Sequence, residues 1–121
     1  MTTNYICETL HPNFIAMHLV LLRREKPKPF LFKGGTLVLT IGVQNLATTN
    51  LFLAELLYRH HTGDWGELGE EDKQENQFSL EKDYRILSHY KFKDAEGADE
   101  RVYIITEWDR SATTILLPDE Y

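Results

Sequence analysis

The sequence predicts an α+β fold: two or three helices packed on an antiparallel sheet of three to five strands, with a hairpin at the C-terminal end. Leucines recur at i, i+3 and i+4 over residues 51–61, which is the spacing of an amphipathic helix. Apolar and polar side chains alternate over residues 84–92, which is the period of a strand. β-Branched residues then dominate 102–117 on both sides of Asp109-Arg110 and predict a hairpin.

Length and composition indicate one domain spanning residues 1–121. Apolar residues make up 42% of the chain and charged residues 26%, a balance typical of a globular domain. Residues 34–121 contain the helices and strands that the sequence predicts and form the core region of this domain. Residues 1–33 receive no firm assignment, because the apolar run over 13–24 fits a buried strand and a short helix equally well.

Several other classes of protein are excluded by local features. The single cysteine, Cys7, rules out a disulfide scaffold and a multi-cysteine metal site, and we expect it to be a buried or idle thiol. No apolar run approaches the roughly 20 residues that cross a bilayer. The N-terminus lacks the basic-then-apolar pattern of a secretory signal, so a cytoplasmic location is expected.

The first half of the chain predicts an extended segment, a strand and a helix. Two prolines keep residues 26–29 from being helical, and the glycine pair at 34–35 is a turn signal. The β-branched run over 36–41 predicts a strand that the next glycine ends. Thr48-Thr49-Asn50 supplies candidate N-caps for the helix over 51–61.

The second half predicts a charged surface helix followed by three strands. The helix covers residues 69–81, with Phe78 as nearly its sole apolar anchor. A strand over 84–92 and a polar loop over 94–100 lead into the hairpin strands on either side of Asp109-Arg110.

A two-residue loop at Asp109-Arg110 would fix the register of this hairpin by counting. The opposed pairs are Trp108 with Ser111, Thr106 with Thr113 and Ile104 with Ile115 on one face, and Glu107 with Ala112 and Ile105 with Thr114 on the other. Both faces carry large apolar residues, so we expect the sheet to be covered on both sides.

The charge is divided unevenly along the chain. Residues 1–60 carry six Lys/Arg against three Asp/Glu, whereas residues 61–121 carry seven against sixteen, for a net charge of −6. An acidic protein is repelled by phosphate backbones, which disfavours broad nucleic-acid binding. The short basic stretch of Arg23, Arg24, Lys26, Lys28 and Lys33 fits a solvated connector better than a phosphate-binding patch.

The densest polar group is the run from Arg59 to Gly66. Adjacent His60 and His61 project about 100° apart on a helix, whereas two metal ligands on one helix face need a spacing of four. We therefore predict no metal site here. The structural interpretation has His60 at the end of the apolar stripe, His61 and Asp64 as a helix-terminal cap, and Trp65 in the core.

A second group surrounds the predicted hairpin turn. Arg110 is a forked donor that can grip a phosphate or a carboxylate, and Asp109 adjoins it. Thr106 and Thr113 would face each other across the strands. The competing interpretation is an internal pair between Arg110 and an Asp or Glu, with the threonines as ordinary strand residues.

A third group joins the surface helix to the strand that follows it. Asp72 and Asn76 lie one helical turn apart on the same face, and Ser88 lies on the next strand. A catalytic base needs a partner within hydrogen-bond reach, and the sequence does not supply that distance.

These segments together resemble a family of small uncharacterised bacterial proteins, the plasmid-related proteins, which are associated with plasmids and other mobile elements. The matching residues are Leu56-Leu-Tyr-Arg-His60, Gly63-Asp-Trp-Gly66, Glu71-Asp72, Asn76, Arg85-Ile-Leu-Ser88, Tyr90, Ile104-Ile-Thr-Glu107, Asp109-Arg-Ser111, Thr113-Thr-Ile-Leu-Leu-Pro118 and Glu120-Tyr121. The resemblance covers residues 36–121, with Thr40-Ile41-Gly42 where the family carries a Thr-Pro-Gly-like turn. It implies a mobile-element setting and no particular activity.

Two functions from different classes fit these features. The favoured hypothesis is a non-catalytic acidic accessory protein, such as an anti-defence or regulatory factor, that binds another protein and needs no cofactor. The alternative is a small metal-independent ribonuclease of RelE-like or barnase-like type. Its catalytic candidates are His60, His61 and Arg110, and the wider set of binding candidates is Asp64, Trp65, Asp72, Asn76, Ser88, Thr106, Asp109 and Thr113.

Overall fold

The computed structural model describes residues 28–121 and, for the backbone, residues 5–8. The strands are β1 (Tyr5–Glu8), β2 (Thr36–Thr40), β3 (Ile86–Lys93), β4 (Asp99–Thr106) and β5 (Ala112–Leu116). The helices are α1 (Ile41–Gln44), α2 (Asn50–His61) and α3 (Glu70–Lys82), followed by a 3₁₀ turn at Pro118–Glu120. The strands form one sheet in the order β1-β2-β5-β4-β3, and the predicted α+β class is confirmed.

The sheet is mixed rather than wholly antiparallel as predicted. Strand β2 runs parallel to β5, with Thr36 opposite Ala112 and Leu39 opposite Ile115, whereas the other strand pairs are antiparallel. Parallel neighbours require a long connection. Here that connection contains all three helices and the β3–β4 hairpin, so local counting along the chain does not reveal it.

The predicted register of the C-terminal hairpin is confirmed, but its two-residue loop is wrong. Thr106 pairs with Thr113 and Ile104 with Ile115. Strand β4 ends at Thr106, and residues 107–110 form a turn. This turn is closed by a hydrogen bond of 2.9 Å from the Arg110 N–H to the Glu107 carbonyl. Arg110 adopts a left-handed conformation with φ 61°. The longer turn directs Trp108, expected opposite Ser111, into solvent.

The core lies between α2 and one face of the sheet. Leu53, Leu56 and Leu57 of α2 pack with Ile104 and Ile115, so the predicted helical stripe is buried as its spacing requires. The helix begins one residue before the predicted start, where Thr49 Oγ1 accepts the Phe52 N–H at 3.1 Å. On the opposite sheet face Ile105 and Leu116 are also buried, in keeping with a sheet covered on both sides.

Polar side chains, rather than the predicted Phe78, anchor α3. Phe78 is exposed, whereas Asn76 and Ser79 are buried. Asn76 Nδ2 donates to the Leu87 carbonyl at 2.5 Å, and Asn76 Oδ1 accepts the Leu87 N–H at 3.1 Å. Strand β3 is an edge strand whose outer backbone groups need partners. A carboxamide supplies both a donor and an acceptor, which an aromatic ring cannot do.

Other predictions differ in detail or lie outside the described residues. The glycine expected to end the first strand, Gly42, lies within α1, whose N-cap is Thr40. Of the predicted basic stretch, Lys28 and Lys33 are exposed, and the segment at Lys28–Pro29 is not helical. The apolar run over 13–24, the Cys7 side chain and the remaining members of the basic stretch, Arg23, Arg24 and Lys26, lie outside the described residues.

Candidate functional site

A chain of four buried hydrogen bonds is centred on His60, at the last turn of α2. His60 Nδ1 lies 2.5 Å from Ser88 Oγ, and His60 Nε2 lies 2.9 Å from Thr106 Oγ1. Thr106 Oγ1 is 2.7 Å from Thr113 Oγ1, which donates to the Gly34 carbonyl at 2.7 Å. One imidazole therefore joins α2 to β3, β4 and β5.

The carbonyl at the end of this chain fixes where each proton lies. A carbonyl oxygen can only accept a hydrogen bond, so the Thr113 hydroxyl donates its single proton to the Gly34 carbonyl. Thr113 Oγ1 must therefore accept the hydrogen bond that joins it to Thr106, whose hydroxyl is the donor. Thr106 then accepts from His60 Nε2–H, which leaves Nδ1 of the neutral ring as an acceptor for the Ser88 hydroxyl. His60 is thus the Nε2–H tautomer, and Ser88 is the donor of the pair.

Burial governs the chemistry of this network. His60, Ser88 and Thr106 are each 0% exposed, and Thr113 is buried as well. Burial, together with nearby His61 and Arg110, holds the pKa of His60 well below its ordinary value. A neutral, enclosed imidazole with both nitrogens occupied has neither an open face for a substrate nor a free nitrogen for proton transfer.

His61 lies in an aromatic sandwich rather than in the predicted cap with Asp64. Its ring stacks between Phe30 and Phe32, at centroid distances of 5.0 and 4.9 Å. His61 Nδ1–H donates to the Leu57 carbonyl at 2.9 Å, so Nε2 is an acceptor, and it has no hydrogen-bond partner within the described part of the chain. Burial lowers the pKa of His61. A Cβ at Gly34 would overlap His61 Nε2, which explains the glycine there.

Arg110 is committed to backbone carbonyls rather than to the predicted Asp or Glu partner. Its Nη1 donates to the carbonyls of Tyr84 at 2.6 Å and Glu107 at 3.1 Å, and its Nη2 donates to that of Ser79 at 3.2 Å. Its guanidinium carbon lies 5.6 Å from the centroid of the Phe32 ring. Arg110 therefore ties the hairpin turn to the C-terminal end of α3.

The turn after α2 holds two more candidates, which lie apart from the His60 network. Asp64 is exposed and pairs with Arg59 at 2.8 Å, which lowers the pKa of Asp64. The same carboxylate accepts the Gly66 N–H at 3.3 Å. Trp65 is buried as predicted. Since the next residues pair with the outer edge of β3 through His89, this turn has a structural role.

The remaining candidate residues, Asp72, Asn76 and Asp109, also lie outside the His60 network. Asp72 is exposed, although it shares a helix face with buried Asn76, because it lies in the first turn of α3. Asp109 is exposed, and hydrogen bonds from the Ser111 hydroxyl and from the Ser111 N–H, the latter 3.0 Å long, lower the pKa of Asp109. The structure thus brings His60 together with Ser88, Thr106 and Thr113, and leaves Asp64, Asp72 and Asp109 on the surface.

Sequence reasoning missed the aromatic partners of the histidines. Phe30 and Phe32 precede the strand region and show no helical or strand periodicity with α2. The one available signal is their i, i+2 spacing beside the Gly34-Gly35 pair, which places two rings on one side of an extended segment.

Comparisons with known proteins add no relative. No protein-family model, curated protein or solved structure gives a match to this chain. Among the side chains of residues 28–121, no three His, Cys, Asp or Glu groups are placed so as to hold a metal ion. Within residues 5–8 and 28–121, no helix is long and apolar enough to cross a membrane.

Proposed function

We propose that this protein is a non-catalytic, acidic protein-binding module that docks through α3 on a basic surface of another protein. The observation that carries the proposal is that α3 exposes four carboxylates in its first two turns: Glu70, Glu71, Asp72 and Glu75. Lys73 Nζ lies 3.8 Å from Glu70 Oε1 and offsets one of these four negative charges. The first two turns of α3 therefore keep a net negative charge.

The acidic helix is held in a fixed position, which distinguishes it from a flexible charged tail. Asn76 bonds both backbone groups of Leu87, and Arg110 bonds the Ser79 carbonyl near the C-terminal end of the helix. A fixed array of like charges steers a partner of opposite charge and sets its orientation. The geometry therefore favours specific docking over general repulsion.

The buried network weighs against the ribonuclease alternative. An acid–base histidine must reach the atom that it protonates, and His60 is 0% exposed. Arg110, the candidate for stabilising a phosphorane, is occupied by carbonyls. Residues 61–121 carry sixteen Asp/Glu against seven Lys/Arg, which opposes the approach of RNA.

This proposal includes the setting that the family resemblance implies. Nucleases and restriction enzymes hold phosphate backbones in basic clefts, and a rigid acidic protein can occupy such a cleft. We infer that the protein serves mobile elements as an anti-defence or regulatory factor by this kind of charge complementarity.

The test uses a synthetic basic peptide, with arginine at alternate positions, as the probe. We expect the protein to bind it, and the affinity to fall as ionic strength rises from about 0.05 to about 0.3 M. Glu71→Gln/Glu75→Gln should weaken binding, whereas the matched double variant Glu96→Gln/Asp119→Asn, which neutralises two exposed acids elsewhere, should retain it.

Two outcomes would refute the proposal. One is the absence of any salt-sensitive binding by the wild-type protein. The other is cleavage of RNA by the purified protein that disappears in His60→Phe, which would favour the ribonuclease.

A further inference from the structure

Residues 28–35, which we call the strap, cover the last turn of α2 before the chain enters β2. Successive side chains of an extended segment point to opposite sides. Phe30 and Phe32 accordingly turn toward His61 and hold its ring between them, whereas Leu31 is 51% exposed. His61 is only 4% exposed, so the strap helps to keep this imidazole out of water.

Few hydrogen bonds hold the strap, and it contains no helix or strand. The Leu31 N–H donates to the His61 carbonyl at 2.9 Å, and the Lys28 N–H donates to the Tyr58 hydroxyl at 2.6 Å. The Gly34 carbonyl accepts a hydrogen bond of 2.7 Å from β5. Segments with few backbone hydrogen bonds open at a lower free energy than core strands. The strap can therefore open while the sheet stays folded.

A second proton on His61 has no partner while the strap is closed. His61 Nδ1–H already donates to the Leu57 carbonyl, so a further proton binds at Nε2. Among residues 28–121, Nε2 has no hydrogen-bond partner, and it lies against Gly34, where a Cβ would overlap it. Protonation thus leaves a buried, charged donor without an acceptor, which costs more free energy than a neutral donor in the same place.

The charged groups on the elements around His61 do not supply that acceptor. The hairpin turn carries Arg110, whose guanidinium lies over an aromatic ring of the strap. Adjacent His60 is fully buried, and the carboxylate that follows α2, Asp64, is exposed and paired with Arg59. The strap itself carries two exposed lysines, Lys28 and Lys33.

Two effects on a charged His61 ring oppose each other. Stacking on the faces of Phe30 and Phe32 favours an imidazolium. Burial disfavours it and is the larger influence, so the pKa of His61 lies below its ordinary value. The closed strap therefore favours the neutral ring.

We propose that the strap is a pH-dependent cover, closed over neutral His61 and released when this imidazole takes up a proton. Release brings Nε2–H into contact with water, which supplies the missing acceptor. The Gly34-Gly35 pair joins the strap to β2, and Gly35 has a left-handed conformation at φ 64°, so the change of direction falls on residues with wide conformational freedom. The released form exposes the rings of Phe30 and Phe32 in acid. This inference is independent of the docking function proposed for α3.

Hydrogen exchange of single backbone amides between about pH 7.5 and 5 tests this proposal. The Leu31 amide, bonded to the His61 carbonyl, reports on the strap, and the Ile104 amide, in the interior strand β4, reports on unfolding of the whole protein. Below the ordinary pKa of 6.5 the open form binds one proton more than the closed form. After correction for the intrinsic pH dependence of exchange, the opening constant at Leu31 should exceed that at Ile104 and rise in acid by up to about tenfold per pH unit. The constant at Ile104 should rise more steeply, because unfolding also exposes His60.

Two variants and one wild-type measurement identify the titrating group. His61→Leu leaves no titrating group between Phe30 and Phe32, so the opening constant at Leu31 should lose its pH dependence. His89→Gln removes another histidine whose pKa is lowered, on β3, and should keep the wild-type profile at Leu31. In the wild-type protein, the rise at Leu31 should level off at the pH where nitrogen-15 spectra show His61 of the closed form titrating.

Three results would overturn the proposal. Equal opening constants at Leu31 and Ile104 at every pH would mean that the strap opens only when the whole protein unfolds. An opening constant at Leu31 that stays level down to about pH 5 would mean that opening is not linked to a proton. A pH dependence at Leu31 that persists in His61→Leu would assign the linkage to another group.

Discussion

The Gly34 carbonyl orders a set of hydroxyl and imidazole protons that sequence alone leaves undetermined. Because it accepts from Thr113, His60 must be the Nε2–H tautomer. His61 has the opposite form, with its proton on Nδ1 facing the Leu57 carbonyl. Two adjacent histidines therefore differ in tautomer because each meets a different set of partners.

Thr106→Val tests whether Thr106 accepts the hydrogen bond from His60 Nε2–H, as this proton arrangement requires. Valine keeps the shape of threonine but cannot accept, so it leaves His60 Nε2–H buried without an acceptor. We expect a loss of about 1–3 kcal/mol in the free energy of unfolding, measured with urea at neutral pH. Nitrogen-15 spectra of the wild-type imidazoles should show an Nε2–H and an Nδ1–H tautomer. Thr114→Val, on the other sheet face, is the matched control and should cost much less; equal losses would mean that the network contributes no more than an ordinary threonine.

The sequence predicts part of this network and misses the rest for a physical reason. Helical spacing places His60 at the end of the apolar stripe, and counting from the turn places Thr106 opposite Thr113. Both inferences use short-range geometry. The approach of Ser88 to His60 depends on how α2 lies across the sheet, which no local pattern specifies.

For helix α3, the sequence predicts the helix itself but not the contacts that attach it to the sheet. Its charge pattern predicts a surface helix over 69–81, and the helix spans Glu70–Lys82. An apolar residue in a charged segment usually packs inward, so the sequence predicts Phe78 as the anchor of this helix. The exposure of Phe78 shows that an apolar residue in a charged helix does not always lie in the core.

Asn76→Leu tests whether the two hydrogen bonds between Asn76 and the Leu87 backbone hold α3 against the sheet. Leucine has a similar size but leaves the Leu87 N–H and carbonyl without their partners at the edge of β3. We expect the free energy of unfolding to fall by about 2 kcal/mol or more, and the Leu87 amide to exchange with solvent faster than in the wild-type protein. Gln77→Leu changes the next, exposed position and serves as the control. Unchanged exchange at Leu87 would show that another contact holds α3 in place.

At the scale of the whole molecule, the mixed sheet is joined by contacts between residues far apart in the chain. The Glu120 carboxylate accepts from Thr40 Oγ1 at 2.6 Å, from the Gly42 N–H at 3.1 Å and from the Leu117 N–H at 2.8 Å. These bonds hold the end of the chain against the junction of β2 and α1, next to the parallel β2–β5 pair. The separate elements were predictable from local patterns, but this closure depends on contacts between residues some eighty positions apart.

The buried histidines also make the stability of the whole protein depend on pH. Folding lowers the pKa of His60 and of His61 from an ordinary value of 6.5, mainly through burial. Below that value the unfolded chain binds protons that the folded protein does not. The free energy of unfolding should therefore be constant above about pH 7 and should fall as the pH decreases, by up to about 1.4 kcal/mol per pH unit for each such histidine.

Urea unfolding at a series of pH values between about 7.5 and 5 tests this expectation, and His61→Leu isolates one contribution to it. Leucine fits between Phe30 and Phe32 without a titrating group, so the slope against pH should decrease even though the Leu57 hydrogen bond is lost. The Arg59 hydrogen bond lowers the pKa of Asp64, so this carboxylate contributes stability at neutral pH that is lost only as the pH falls below its ordinary pKa of 3.8. A wild-type stability that does not change down to about pH 5 would mean that the imidazoles take up protons without unfolding. An unchanged slope in His61→Leu would assign the effect to His60, or to half-buried His89, whose pKa is also lowered.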